Sequence, residues 1–344
     1  MNLTIKDGED IKELQESIIV LTEEEKAGVG FIISQLPPLD MQSIDDDLLL
    51  LIQLTGQQLP KRLVEALLRF RRKPNPYGVL LFRNLPTDSM LPPTPMDGRF
   101  SAAKNSFYSE YCLLLFMLYL GDPISYEDEK EGLLIQNICP VQGHENRQEN
   151  TSSNFLNFHT EDGFHPYPPD YLTLIGLRPD HKKVAKTLTT SIRTALHHLP
   201  STCISLLRQP LYRLRPSSSF KINKEGDYSV QMPILSGHFL EPDICIHFKS
   251  MEAETVDARW ALDTLKNALI KNIVAFNILP GDMLIMDNRM VAHARMPFAP
   301  NFDGCDRWLQ RLFTIVDFRR SSFSRGQRKH ICSPLTVEYT KQVK

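Results

Sequence analysis

The chain has little that would tie it to an oxidising compartment, a membrane or a polyanion. Its six cysteines, Cys112, Cys139, Cys203, Cys245, Cys305 and Cys332, are scattered and form no C-x-x-C pair. That argues against a disulfide framework or a paired redox site. No secretory leader is recognisable at the start, so reduced thiols and a cytoplasmic location are expected. Long hydrophobic runs are missing as well. The most apolar stretch, residues 111–120, is about half of what a bilayer span requires and reads as a buried helix end. Neither sign of charge prevails: 39 basic and 41 acidic residues leave a formal charge of -2 without long blocks. Nucleic acid and anionic membranes are therefore not expected as partners. No internal repeat is visible.

What is present builds a core. A chain of 344 residues with 42% hydrophobic content can bury a large interior, and one catalytic unit suffices for this length. Residues 1–76 read as helical. Thr22 followed by Glu23, Glu24 and Glu25 is an N-cap with an acidic first turn, and Val29, Ile32, Ile33 and Leu36 follow at helical spacing. A Leu-rich run after Asp45-Asp46-Asp47 and an amphipathic segment over residues 59–70 add two more helices, the last ending in a basic patch read as a solvated helix end. Strand content rises from Val79 onward. The expected organisation is thus a helical layer, residues 1–76, packed on a core spanning residues 77–344. Further helices are expected over residues 101–119 and 252–271, and the polar stretch 143–153 reads as a loop or a lid over substrate.

Chemistry concentrates at His159-Thr160-Glu161. In a strand, residues two apart project to one face, so an imidazole and a carboxylate can share a metal while Thr160 points away. An H-x-E tripeptide is weak evidence alone, since 10 histidines and 41 acidic residues produce such spacings by chance. Its context is more informative. A turn at Pro168-Pro169-Asp170 leads from it into an apolar strand, residues 171–177, and a second apolar segment after the Pro280-Gly281 turn carries the chain to His293. Two neutral nitrogens and one anionic oxygen on one side of an ion leave positions free for a chelating cosubstrate and dioxygen, the arrangement of non-haem Fe(II) oxygenases. The same ligands would serve a zinc hydrolase or a metal-bearing, cupin-like binding protein. Neither alternative accounts for Arg307 and Arg311, which in a strand would set two guanidinium groups along one wall.

Several segments, in order, resemble the clavaminate synthase-like Fe(II)/2-oxoglutarate-dependent oxygenases, and among them the hydroxylases of free L-arginine, L-asparagine and L-lysine. They are the run from Tyr77-Gly78-Val79 to Pro86, Leu120-Gly121-Asp122-Pro123, Gln136-Asn137, the His-Thr-Glu segment, Asp287-Asn288-Arg289, His293, Arg295 and Asp306-Arg307-Trp308 through Arg311. Together they cover most of residues 77–320.

The resemblance implies a mainly β fold with flanking helices around a double-stranded β-helix, or jelly roll. It implies Fe(II) as the metal, held by His159, Glu161 and His293, with 2-oxoglutarate and O2 as cosubstrates. Arg307, some fourteen residues past the distal histidine, would bind the distal carboxylate of 2-oxoglutarate, with Thr187 as a second contact, although Thr189 and Thr190 lie close by. Arg311 would take the substrate α-carboxylate, and Gln136, unless merely a satisfied buried amide, its α-amino group. Oxidative decarboxylation would leave succinate, CO2 and a hydroxylated amino acid. Related halogenases replace the metal-binding carboxylate by a small residue, so Glu161 favours hydroxylation. A long cationic side chain needs an acidic pocket end, for which Asp162, Glu241 and Asp243 are candidates. The arginine hydroxylases use a closely spaced acidic pair, whereas Asp243 has Cys245 two residues on. L-Lysine, hydroxylated at C3 or C4, is therefore the expected substrate, with L-arginine the alternative.

Overall fold

Alternation along four strands divides the interior into two cores. In Val79–Arg83, Tyr171–Arg178, Met283–Asp287 and Trp308–Ile315, the residues Val79, Leu81, Leu172, Leu174, Leu284, Met286, Leu309 and Phe313 face one apolar cluster. Their neighbours Leu80, Phe82, Ile175, Met283, Ile285, Trp308 and Leu312 face the other. A period of two with both faces buried is what a sheet covered on each side requires. The computed structural model describes residues 5–143, 153–217, 231–326 and 330–335, together with Phe220 and Ser229.

These four strands belong to the larger sheet. Its order runs Ile331–Cys332, Asp122–Tyr126, Trp308–Ile315, Tyr171–Arg178, Met283–Asp287, Val79–Arg83, Ile18–Val20, and Ile135–Ile138 also pairs with Trp308–Ile315. The smaller sheet runs Ile5–Asp7, Ile273–Phe276, Thr187–Ser191, Val291–Arg295, Leu156–His159. Its residues Leu188, Val274, Phe276, Ala292 and Ala294 share the first apolar cluster with the larger sheet's inner face. The central pairings are antiparallel, and the short edge strands Ile5–Asp7, Ile18–Val20 and Ile331–Cys332 join in parallel. The Pro280-Gly281 turn expected from sequence is present. Gly281 takes φ +82, and a Cβ there would come within 2.9 Å of the Leu85 carbonyl, so glycine answers both constraints.

The helices cover the outer face of the larger sheet. Glu23–Ser34 starts at a capping box, in which Glu25 N–H donates to Thr22 Oγ1 at 3.1 Å and Thr22 N–H donates to Glu25 Oε2 at 2.9 Å. Asp46–Thr55, Lys61–Arg72 and Tyr108–Met117 complete this layer, burying Ile52, Leu63, Leu67, Phe116 and their neighbours against it. The first 76 residues are more than a helical layer, since Ile5–Asp7 and Ile18–Val20 supply an edge strand to each sheet. The fourth helix begins at Tyr108 rather than near residue 101, because the preceding segment is fixed by side chains. There Lys104 Nζ, fully buried, sits 2.7 Å from Glu110 and 3.1 Å from Asp88. Val256–Ile270 packs against the smaller sheet. Strands therefore dominate the core rather than the chain as a whole. Among the described residues no helix is long and apolar enough to cross a membrane, and all six cysteines are free.

Candidate active site

Cross-strand register brings the two histidines together. Val291–Arg295 pairs antiparallel with Leu156–His159 so that His293 lies opposite His159, and their ring centroids are 4.2 Å apart. Glu161 comes within reach by a different route from the expected strand alternation. The strand ends at His159, Thr160 turns into hydrogen bonds with Ile246, and Glu161 follows in a turn. Asn288 holds it there. The Asn288 side chain accepts from Glu161 N–H at 2.7 Å and donates to the carbonyls of Glu161 at 3.0 Å and Pro169 at 2.8 Å. Asp162 takes up the reversal with φ +46, a conformation that Asp tolerates better than most side chains. Glu161 Oε2 then lies 3.3 Å from His293 Nε2 and 3.9 Å from His159 Nε2.

The donor set suits a divalent transition metal. One ligand atom from each of the three residues falls within 4.8 Å of the others. His159 Nδ1 contacts the Asn157 carbonyl at 2.8 Å, which fixes the proton on Nδ1 and leaves the Nε2 lone pair facing Glu161. Burial, and then the nearby His293, lower the His159 pKa to about 3, so the ring is a neutral ligand at physiological pH. Burial opposes the Glu161 charge, but the Arg311 guanidinium and the two imidazoles outweigh it and hold the carboxyl well below its usual range. Two nitrogens and one carboxylate oxygen on one side of the site form the facial set that non-haem Fe(II) enzymes use.

The cavity over these groups measures about 570 Å³, within the range of small-molecule sites. On one side stand Arg307, Arg295 and Thr187. His293 and Arg295 alternate onto the same face of their strand, and Arg295 lies opposite Thr187 on the neighbouring strand Thr187–Ser191. Thr187 lines the cavity, whereas Thr190 turns away to donate to the Leu269 carbonyl at 2.7 Å. Burial lowers the Arg307 pKa to about 10, only partly offset by Asp180, and burial together with Arg307 lowers Arg295 to about 9. Arg295 belongs to the segments that carry the resemblance, but no local pattern in the chain places it beside Arg307.

On the other side stands Arg311, on the inner face as the two-residue spacing from Arg307 and Leu309 required. Its Nη2 lies 2.6 Å from Glu129 Oε1 and its Nη1 3.2 Å from Glu161 Oε1, while Gln136 Oε1 accepts from its Nε and Nη2. Burial opposes the Arg311 charge, yet Glu129 and Glu161 outweigh it and raise its pKa above the ordinary arginine value. Gln136 is thus corrected from a cavity residue to a buried brace behind Arg311; Ile135–Ile138 pairs with Trp308–Ile315 and sets Gln136 opposite Arg311. Glu129, unremarkable in the polar sequence after Tyr126, is a further carboxylate that lines the cavity.

Two further expectations fail. Glu241 and Asp243 do not line the cavity. Pro242–Ile244 forms a hairpin with Leu235–Gly237, which leaves Glu241 exposed and turns Asp243 toward Arg289 and Asp287. The chain then bends, Phe248 N–H donates to the Phe158 carbonyl, and a single bridge pairs His247 with His159. Within residues 241–247, His247 is therefore the one that lines the cavity. Asp162 does line it, buried beside Glu161. The lid expected over residues 143–153 falls largely on residues 144–152, outside those described.

A buried site of two imidazoles and a carboxylate, flanked by three arginines between two sheets, defines a metal enzyme that handles carboxylates. Residues 56–313 match the family model described as Taurine catabolism dioxygenase TauD, TfdA family. The chain is 38% identical to the L-asparagine oxygenase of Streptomyces coelicolor over 76% of its own length and 78% of the relative's. It is 32% identical to the L-lysine 3-hydroxylase of Catenulispora acidiphila over 82% and 79%. Among solved structures it superposes on asparagine oxygenase in complex with Fe(II), 2S,3S-3-hydroxyasparagine and succinate with a TM-score of 0.86 at 32% identity, covering 93% of this chain and all of that one. The non-heme iron oxygenase OrfP, in complex with Fe, succinate and (3S)-hydroxy-L-Arg, gives 0.81 at 27% identity over 92% and 99%. The chain belongs to the TauD/TfdA family and is an Fe(II)/2-oxoglutarate-dependent dioxygenase. The zinc-hydrolase and non-catalytic alternatives are thereby set aside.

Proposed function

We propose that this dioxygenase hydroxylates a free L-α-amino acid. The observation that carries the reading is the cluster around Arg311: a buried guanidinium and the Glu129 carboxylate, side by side on the cavity wall and 3.2 Å from Glu161 in the case of Arg311. A zwitterion presents the complementary pair, a carboxylate for the fork of Arg311 and an ammonium for Glu129, with Asp162 adding negative charge nearby. Gln136 keeps the fork aimed. His159, Glu161 and His293 are the residues that would hold Fe(II), and Arg307, Arg295 and Thr187 form the pocket suited to the distal carboxylate of 2-oxoglutarate. Bound there, Fe(II) supplies the activation of O2 that oxidises 2-oxoglutarate to succinate and CO2 while one substrate C–H bond becomes C–OH. The protein's part is to orient the amino acid by its two charged groups and to keep water out of the apolar cavity wall. The facing antiparallel sheets support the jelly-roll reading of the core, and reduced cysteines support a cytoplasmic setting.

L-Lysine, favoured from the sequence, loses two of the three carboxylates on which that choice rested, since Asp162 lines the cavity but neither Glu241 nor Asp243 does. The test of the broader reading is succinate release by the iron-loaded protein over a panel of free amino acids. Stimulation by at least one of them, with a product heavier by one oxygen, is expected. Stimulation only by peptides, sulfonates or other non-amino-acid substrates would refute it.

A further inference from the structure

We infer that the substrate's side chain ends in a hydrogen-bond-accepting oxygen, a carboxamide or a carboxylate, which is received by His247 Nε2–H. This rests on the reading of the site as one for a free amino acid and specifies which class.

His247 is tied to the metal-binding groups. It bridges His159 in the backbone, and the two ring centroids are 5.4 Å apart. Its tautomer is set by geometry: Nδ1 accepts two backbone hydrogen bonds, from Lys249 N–H and Ser250 N–H, each at 3.2 Å. An Nδ1 so occupied carries no proton, so the proton resides on Nε2. Nε2 makes no hydrogen bond among the described residues, and His247 is one of the residues that line the cavity. The edge offered to a ligand is thus a donor with no acceptor capacity.

Placement relative to Arg311 decides what reaches that edge. Arg311 adjoins Glu161, and His247 adjoins His159, so an amino acid held by its α-carboxylate at Arg311 spans the metal-binding groups when its side chain extends toward His247. The buried acidic groups that line the cavity, Glu129, Glu161 and Asp162, all act on Arg311, the α-carbon end. At the His247 end the charged lining residues Arg215, Lys249 and Glu252 are exposed, where solvent screens them whatever their sign. An ammonium or guanidinium has only donors and would meet a donor at His247, leaving a desolvated cation unmatched. A carbonyl or carboxylate oxygen matches it.

The experiment measures binding of L-Asn, L-Gln, L-Asp, L-Glu, L-Lys, L-Arg and L-ornithine by calorimetry to the Fe(II)- and 2-oxoglutarate-loaded protein without oxygen, so that affinity is read independently of turnover. At least one oxygen-ended amino acid is expected to bind roughly ten- to a hundredfold more tightly than any cationic one. The amide and acid arms decide between carboxamide and carboxylate, and either result supports the inference. His247→Phe, which keeps the ring and removes the donor, is expected to shrink that preference to within about threefold. His247→Asp should reverse it in favour of cations, with iron content measured to show that the metal site remains intact. Tighter wild-type binding of lysine, arginine or ornithine would overturn this inference and leave the amino-acid hydroxylase reading standing, as would an unchanged preference in His247→Phe. Binding of no amino acid at all would overturn both.

Discussion

Arg307 and Arg311 come from one segment of chain, face one cavity and are prepared for it in opposite ways. Arg311 is already matched by Glu129, Glu161 and Gln136, and its charge is held more firmly than that of a free arginine. Arg307 is buried with no ion pair among the described residues and close enough to Arg295 for the two charges to repel. A buried cation without a partner costs free energy that a bound anion relieves. On the proposed reading, the Arg307 side therefore suits a dianion such as 2-oxoglutarate. The Arg311 side is an internal salt bridge that an incoming zwitterion must rearrange, substituting its own carboxylate and ammonium for protein groups. The first arrangement favours affinity and the second favours selectivity.

The most severe way to test this contrast is to remove the centre both sides serve. His159→Ala, Glu161→Ala and His293→Ala should each lower succinate release by more than about a thousandfold, because each removes one of the three proposed protein ligands. Circular dichroism should show a retained fold, and wild-type turnover in any of the three would contradict the site. Next in size, Arg307→Ala should raise the KM for 2-oxoglutarate by roughly ten- to over a hundredfold with a small effect on the amino acid, and Arg311→Ala should do the reverse, the loss expected for a charge-assisted contact of about 1.5 to 3 kcal/mol. Identical kinetic signatures in the two variants would break the comparison.

Asn288→Ala should act more mildly and on both sides at once. It frees the Glu161 backbone without touching a metal-binding atom, so iron affinity is expected to fall by about tenfold, measured by titration of the apo-protein, while the ratio of the two KM values holds. The smallest kinetic effect is expected at Gln310, on the opposite face of the strand, where its Nε2 donates to the buried Glu110 at 2.6 Å. Gln310→Ala leaves that carboxylate short of a donor and should lower stability by about 1–3 kcal/mol in denaturant unfolding. Both KM values should move together and by less than about threefold; a shift in one alone would show that the two arginines are not positioned as a unit.

Much of this was legible because it is local. The 309, 311 alternation needs only a strand, and Trp308–Ile315 supplies it, with Arg307 just before the strand also lining the cavity. The Thr22 capping box spans four residues and appears as read. What the chain concealed is set by register between distant segments. Gln136, read either as a substrate contact or as a satisfied buried amide, is paired opposite Arg311 and buried behind it. Glu129 gave no periodic signal, since it sits in a turn that acquires meaning only against Arg311. Glu241 and Asp243 were chosen by charge and proximity in sequence, yet one hairpin and one bend put His247 at the cavity in their place. Glu161 arrived where alternation placed it, although Asn288, far along the chain, is what holds it there.

That bend separates two kinds of heritable change. The histidines are locked into paired strands, where a slip of one residue would turn every side chain to the wrong face, so the reagent half of the molecule tolerates little drift. The stretch carrying His247 belongs to neither large sheet and touches the strand Leu156–His159 through one bridge, a few backbone hydrogen bonds and the ring contacts of His247 and Phe248. On the proposed role of His247, substitutions there would retune what the cavity accepts while the oxidising machinery stays as it is, so that one scaffold could pass from one amino acid to another by editing a handful of loop positions.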